Sequence, residues 1–168
     1  MYKILIVDDE SIEREGISFL IEKYKLPLEV AQATNGKTAL EYMRTHPIDI
    51  LLTDVKMPQM DGLELARHTF EKYPDVRILV FSAYGEFEFA KKAMAAQAVS
   101  YLLKPIEVDE FQRVMAQILA RCDELAEKKK DEQQRGEEYR QQLLFRLVTG
   151  TGLPPEPRAV VRFHSGVP

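Results

Sequence analysis

Six side chains stand out by their type and by where they fall. Asp8, Asp9 and Glu10 follow at once on the apolar run Ile4-Leu5-Ile6-Val7. Asp54 closes the run Ile50-Leu51-Leu52-Thr53, Ser82 follows Ile78-Leu79-Val80-Phe81, and Lys104 follows Tyr101-Leu102-Leu103. Brought to one place, Asp8, Asp9 and Asp54 would repel and raise one another's pKa. A hard divalent cation relieves that repulsion. Mg²⁺ takes oxygen ligands, keeps several waters, and binds through one or two carboxylates plus phosphate. The carboxylate left over is then a nucleophile toward phosphorus, forming an aspartyl phosphate. The cation and Lys104 would neutralise oxygens of the transferring group, and Ser82 would hydrogen-bond one of them. Asp54 is the expected nucleophile, because it stands alone on a central strand with a long loop behind it. Asp9 is the expected direct metal ligand, with Asp8 acting through water.

An alternation of short apolar runs and amphipathic stretches has to position these groups. Strands are expected over 3–7, 28–34, 49–53, 77–81 and 100–103. Helices are expected over 11–24, 38–46, 63–73 and 86–96, with a fifth starting near Glu107. Ser11 is read as the cap of the first helix, Asn35-Gly36 as a turn, and Pro47 and Pro74 as stops. Five β-α units in succession imply an α/β fold, a five-stranded parallel sheet with right-handed crossovers and helices on both faces. In such sheets ligands sit outside the carboxyl ends of the strands, which is where Asp8, Asp9, Asp54, Ser82 and Lys104 all fall.

These segments carry a resemblance. Residues 4–10 (Ile-Leu-Ile-Val-Asp-Asp-Glu), 52–62 (Leu-Thr-Asp-Val-Lys-Met-Pro-Gln-Met-Asp-Gly), 82–84 (Ser-Ala-Tyr) and 101–105 (Tyr-Leu-Leu-Lys-Pro) appear in this order. Residues 1–120 resemble the receiver domain of two-component response regulators. The resemblance implies a flavodoxin-like sheet of strand order 2-1-3-4-5 and a switch phosphorylated on Asp54 by a sensor histidine kinase. It implies Mg²⁺ held by Asp9, Asp54, a water on Asp8 and the backbone carbonyl of Lys56. It further implies that Ser82 moves toward the phosphoryl group, that Tyr101 turns inward with it, and that the Lys104–Pro105 bond is cis. Positions 56 and 84 tune the lifetime of the phosphorylated state in such domains. Lys56 is not a carboxylic acid and Tyr84 holds the other position, so self-dephosphorylation is expected to be slow, minutes or longer.

The fifth helix does not stop where a bare receiver would. A 4-3 apolar frame runs through Phe111, Met115, Ile118, Cys122 and Leu125, crosses the polar positions Lys129, Glu132 and Gly136, and returns at Tyr139 and Leu143. No proline interrupts 108–148, and an unbroken helix of that span is roughly 60 Å long. Sustained 4-3 spacing with charged flanks predicts a coiled coil that makes a homodimer. Gly136 marks the place where the helix would kink or break if it did not continue. Residues 121–148 are therefore read as a helical dimerisation segment. Residues 149–168, rich in Gly and Pro, are read as linker and tail. The extension is similar, more loosely, to response regulators that carry a distal helix-turn-helix domain of the arabinose-regulator type. No helix-turn-helix pattern lies in these 168 residues.

Composition closes off other classes. A net charge of -4 and a sequence pI near 5.5 argue against nucleic-acid contact by a broad basic face, so any DNA binding would belong to a domain outside this chain. A single cysteine excludes an internal disulfide and a cysteine-rich zinc site. His46, His68 and His164 each stand apart from a second metal-type ligand. The apolar runs are too short to cross a membrane, and the first is too short for a signal peptide, so a cytoplasmic protein is expected. Two other functions compete: a structural dimerisation module that never takes phosphate, and a dedicated phosphatase. The intact acidic set with Lys104 argues against the first, and the lack of a general acid beside Asp54 against the second.

Overall fold

The computed structural model describes residues 1–83 and 100–149. The strands are β1 (Tyr2–Val7), β2 (Leu28–Ala33), β3 (Ile50–Asp54), β4 (Arg77–Ala83) and β5 (Ser100–Lys104). They form one parallel sheet in the order β2-β1-β3-β4-β5. The helices are α1 (Ser11–Lys23), α2 (Gly36–Thr45), α3 (Gly62–Lys72) and α4 (Val108–Thr149). The helix expected over 86–96 lies outside the described residues, as does Tyr84.

Side chains alternate across the sheet with a period of two, and each face has its own core. Leu5, Val7, Leu51, Ile78 and Val80 point to one face, where Ala39 and Met43 of α2 and Leu65 and Ala66 of α3 cover them. Ile4, Ile6, Ile50, Leu52, Leu79 and Phe81 point to the other, under Ile17 and Ile21 of α1 and Phe111, Met115 and Ile118 of α4. Burial on both faces is why these strands read as continuous apolar runs. Each fully buried Ile, Leu or Phe contributes roughly 1.5–3 kcal/mol.

Two local readings need correction. Ser11 does not cap α1: it is the first helical residue, Glu10 holds the cap position, and no side chain caps it. Asn35-Gly36 is not a free turn but the start of α2. The Asn35 carboxamide oxygen accepts from the Thr38 N–H at 3.0 Å, and the Asn35 N–H donates to the Thr38 hydroxyl at 3.3 Å. This reciprocal capping box satisfies amides that would otherwise be orphaned. The Lys104–Pro105 peptide bond is cis.

The chain divides into two units, Met1–Leu125 and Ala126–Pro168. Helix α4 is a single helix of 42 residues, and Gly136 does not end it. The dimer-seam reading of its first turns is overturned. Phe111, Met115 and Ile118 are 0% exposed and Cys122 is 5% exposed, all packed into this chain's own core. A side chain already enclosed by β1, β3 and α1 has no surface left for a second copy. Near the end of that stretch the Tyr2 hydroxyl donates to Asp123 Oδ1 at 2.5 Å, tying α4 to the start of β1. That hydrogen bond pushes the Tyr2 pKa up to about 12. Farther along, Leu125, Tyr139 and Leu143 are half-buried, while Leu144, Phe145, Leu147 and Val148 are exposed.

Candidate functional site

Parallel register delivers the site. Val7 pairs with Thr53, Asp54 with Phe81, and Ala83 with Lys104, so β1, β3, β4 and β5 finish along one edge. Asp8 and Asp54 are therefore the next residues on adjacent strands. Lys104 Nζ reaches across from β5 and lies 2.9 Å from both Asp8 Oδ2 and Asp54 Oδ1. It also stands 4.7 Å from the centroid of the Phe81 ring, which steadies it by a cation–π contact.

Each carboxylate has a second tie. Asp8 Oδ1 accepts from the Glu10 N–H at 2.8 Å, and Asp54 Oδ2 accepts from the Lys56 N–H at 2.8 Å. Burial, with the Asp8 charge adding to it, raises the Asp54 pKa above its ordinary value despite the opposing pull of Lys104 and the Lys56 amide. Burial draws the Lys104 pKa down, but Asp54 and Asp8 together outweigh it and the net direction is up. The result is a carboxylate pair oriented and partly offset in charge by one ammonium.

The backbone behind Asp54 is equally constrained. The Thr53 hydroxyl donates to the Asp54 carbonyl at 3.0 Å, and the Gly62 N–H closes the loop on the Val55 carbonyl at 2.9 Å. A Cβ on Gly62 would stand 1.8 Å from the Asp54 carbonyl oxygen, so only glycine lets α3 begin this close to β3. The loop turns at Gln59, in the left-handed region at φ +71°, with the Met60 N–H on the Pro58 carbonyl at 2.9 Å. Asp61 then caps α3 by accepting from the Glu64 N–H at 2.7 Å.

These groups line a cleft of about 260 Å³, together with Asp9, Glu10, Glu13, Lys56 and Ser82. Ser82 is buried at its wall, and Asp9 and Glu10 are exposed at its mouth. The structure thus brings together Asp8, Asp9, Asp54, Lys56, Ser82 and Lys104. Tyr101 packs its ring on the core face shared by Leu51 and Val80, and its buried hydroxyl has no hydrogen-bond partner among the described residues. Gly62, Thr53 and Glu13 were not singled out from sequence as parts of the site. For Gly62 the available signal was its place in the 52–62 segment, but a close approach cannot be read from spacing.

The donor set fits a hard cation. It is all oxygen, and Asp8, Asp9 and Asp54 exceed the charge of Lys104. Among the described residues no group of three or more His, Cys, Asp and Glu side chains forms a ready-made metal cage. Mg²⁺ does not need one, since it binds through one or two carboxylates and completes its shell with water and phosphate.

This strand-end geometry defines a class. The chain belongs to the response regulator receiver domain family, whose model matches residues 4–116. It is 41% identical over 121 residues to the uncharacterized transcriptional regulatory protein YesN of Bacillus subtilis, covering 71% of this chain and 33% of that one. The transcriptional regulatory protein DegU of Brevibacillus brevis is 31% identical, over 68% of this chain and 50% of DegU. The chain therefore spans between a third and half the length of these relatives. Among solved structures, the REC domain of AraT, a response regulator from Geobacillus stearothermophilus, is 38% identical with a TM-score of 0.68 over 76% of this chain and 98% of that one. The two-component transcriptional regulator AraC from Clostridium phytofermentans is 35% identical, with a TM-score of 0.68 over 74% of this chain and 97% of that one. No described helix is long and apolar enough to cross a membrane.

Proposed function

We propose that this chain is a phosphorylation-controlled switch in which Asp54 accepts a phosphoryl group from a sensor histidine kinase. The observation that carries the reading is Lys104 Nζ at 2.9 Å from both Asp54 Oδ1 and Asp8 Oδ2 at the mouth of the acidic cleft. An Asp54 carboxylate oxygen forms the new bond to phosphorus as the bond from phosphorus to the kinase's imidazole nitrogen breaks. Lys104 then neutralises a phosphoryl oxygen, and Ser82 hydrogen-bonds another. Asp9, Asp54, the Lys56 carbonyl and a water on Asp8 would hold Mg²⁺, which supplies charge neutralisation to the transferring group. Ser82 and Tyr101 carry the change of state outward. The phosphoryl group shifts the balance of two conformations only by its differential affinity for them.

Output runs through the distal part of α4 and a homodimer. The exposed Leu144, Phe145, Leu147 and Val148 support that reading. The names of the relatives support transcription regulation by a DNA-binding domain outside these residues. Lys56 beside Asp54 supports a long-lived phosphorylated state, lost over minutes or longer.

Intact mass after incubation with Mg²⁺ and a small phosphodonor tests this, wild type beside Asp54→Asn. One phosphoryl group is expected on the wild type alone. A gain in both would assign the wrong carboxylate, and no gain with a competent donor would favour a purely structural module. Burial disfavours the charged form of Asp54. The Asp54→Asn chain should therefore melt no lower than the wild type, separating loss of acceptance from loss of fold.

A further inference from the structure

Helix α1 starts without a side-chain cap, yet the three residues before it must stay in place, because they carry the acidic cleft. Something else holds them. Arg14 reaches back along the chain, and its Nη1 donates to the Asp8 carbonyl at 2.6 Å. Its Nε donates to Gln32 Oε1 on β2 at 3.2 Å. Gln32 Nε2 donates to the Ser18 hydroxyl at 3.0 Å, and that hydroxyl donates to the Arg14 carbonyl at 2.7 Å. The guanidinium is thus held from β2 by Gln32, and Gln32 is itself held by Ser18 on the next turn of α1.

The Asp8 carbonyl belongs to the peptide unit whose other end is the Asp9 nitrogen. That unit is planar, so fixing the oxygen fixes the plane from which Asp9 departs. Asp8 is anchored at its side chain as well, by Lys104 and the Glu10 N–H. Arg14 supplies the constraint on the backbone side. We propose that Arg14, held in place by Gln32, is a positioning residue that sets the direction of Asp9 into the cleft and so the affinity of the cleft for Mg²⁺. This rests on the reading of the cleft as a Mg²⁺ site. Arg14 touches no reacting atom.

Charge and position predict opposite signs. If Arg14 acted only through its positive charge, removing it would leave the cleft more negative and tighten cation binding. A positioning role predicts weaker binding. Neutral Gln32 separates the two further, since replacing it unlocks Arg14 without altering charge. Arg14→Lys keeps the charge but replaces a planar fork with a single ammonium that cannot hold both acceptors in one plane.

The experiment is calorimetric titration of Mg²⁺ into the whole chain, wild type beside Arg14→Ala, Arg14→Lys and Gln32→Leu, with circular dichroism confirming fold. Arg14→Ala and Arg14→Lys should each weaken Mg²⁺ binding by roughly tenfold, the low end for partners that orient a metal ligand. Gln32→Leu should weaken it by a smaller factor of about two to five in the same direction. Folded variants with unchanged or tighter affinity, beside a wild type that binds, would overturn the positioning role alone. A wild type that takes up no Mg²⁺ would overturn both this role and the reading beneath it. Gln32 is exposed on β2, so its variant keeps the test decisive even if changes at Arg14 unfold the chain.

Discussion

The two ends of helix α4 are both rich in apolar residues and live in opposite surroundings. Between Phe111 and Cys122 the 4-3 stripe is 0–5% exposed, under the sheet face of Ile4, Ile6, Ile50 and Leu52. Between Tyr139 and Val148 apolar residues recur at the same density, but Leu144, Phe145, Leu147 and Val148 are 62–85% exposed. Periodicity reports that a face is apolar. It does not report what covers it, because a sheet in the same chain and a helix from another copy ask for the same pattern. Apolar stretches of one helix can therefore differ in surroundings along its length, and the exposed Lys129, Glu132 and Gly136 lie between the two.

The sharpest way to break this contrast is truncation at each end. Phe111→Ala opens a cavity in a closed core and should cost about 3–5 kcal/mol, whereas Phe145→Ala should leave the unfolding free energy within about 0.5 kcal/mol. Denaturant melts at a concentration where the chain is monomeric measure both, and equal losses would end the distinction. The distal stripe should instead govern association. Burying a leucine is worth roughly 1.5–3 kcal/mol, so Leu143→Gln with Leu147→Gln in both copies should raise the dimer dissociation constant by at least about a hundredfold. Analytical ultracentrifugation at tens of micromolar reads the mass directly. A strictly monomeric wild type would remove the seam altogether.

The glycines repeat the contrast more gently. In Gly62→Ala the new methyl meets the Asp54 carbonyl backbone at 1.8 Å, which can be relieved only by moving β3 or α3, and a loss of about 1–3 kcal/mol is expected with impaired acceptance. In Gly136→Ala nothing lies within 4 Å, and the helix should gain up to about 1 kcal/mol. Thermal melts of the two variants should move in opposite directions.

The smallest effect concerns Cys122, whose thiol burial pushes up to about 11. A raised thiol pKa means its contribution to stability is complete below the unfolded value near 9 and is lost only as pH rises through about 11. Between pH 6 and 8 stability should not change on its account. A thiol reagent should react fully in denaturant and hardly at all in buffer, and mild oxidant should not join two copies. A rapid cross-link through Cys122 would return that turn of α4 to the dimer seam.

How much of this was legible depended on the range of each signal. Five strands, the four described helices and the strand ends bearing Asp8, Asp54, Ser82 and Lys104 could be read because burial on both faces writes a local apolar run and a parallel sheet aligns its carboxyl ends. Asn35 and Thr38 form a capping box, whereas Asn35-Gly36 alone has the signature of a turn. Ser11 looked like a cap because serine often is one, yet Arg14 and the Asp8 carboxylate do the holding at that end of β1 instead. The meeting of one ammonium with two carboxylates joins residues 96 positions apart, and the link from Arg14 to Gln32 joins 18.

By itself, then, the sequence determined the α/β class, the order of the described strands and helices, and the placement of the acidic residues at the strand ends. Each of these is written in neighbouring residues, through periodicity, proline stops and the chemistry of a short segment. The tertiary structure alone decided that Phe111 to Cys122 belong to this chain's own core, that Gly62 must be glycine, and that Lys104 bridges Asp8 and Asp54. Those outcomes depend on which surfaces come within a few ångström in space, and distance in space is not a property that spacing along the chain records.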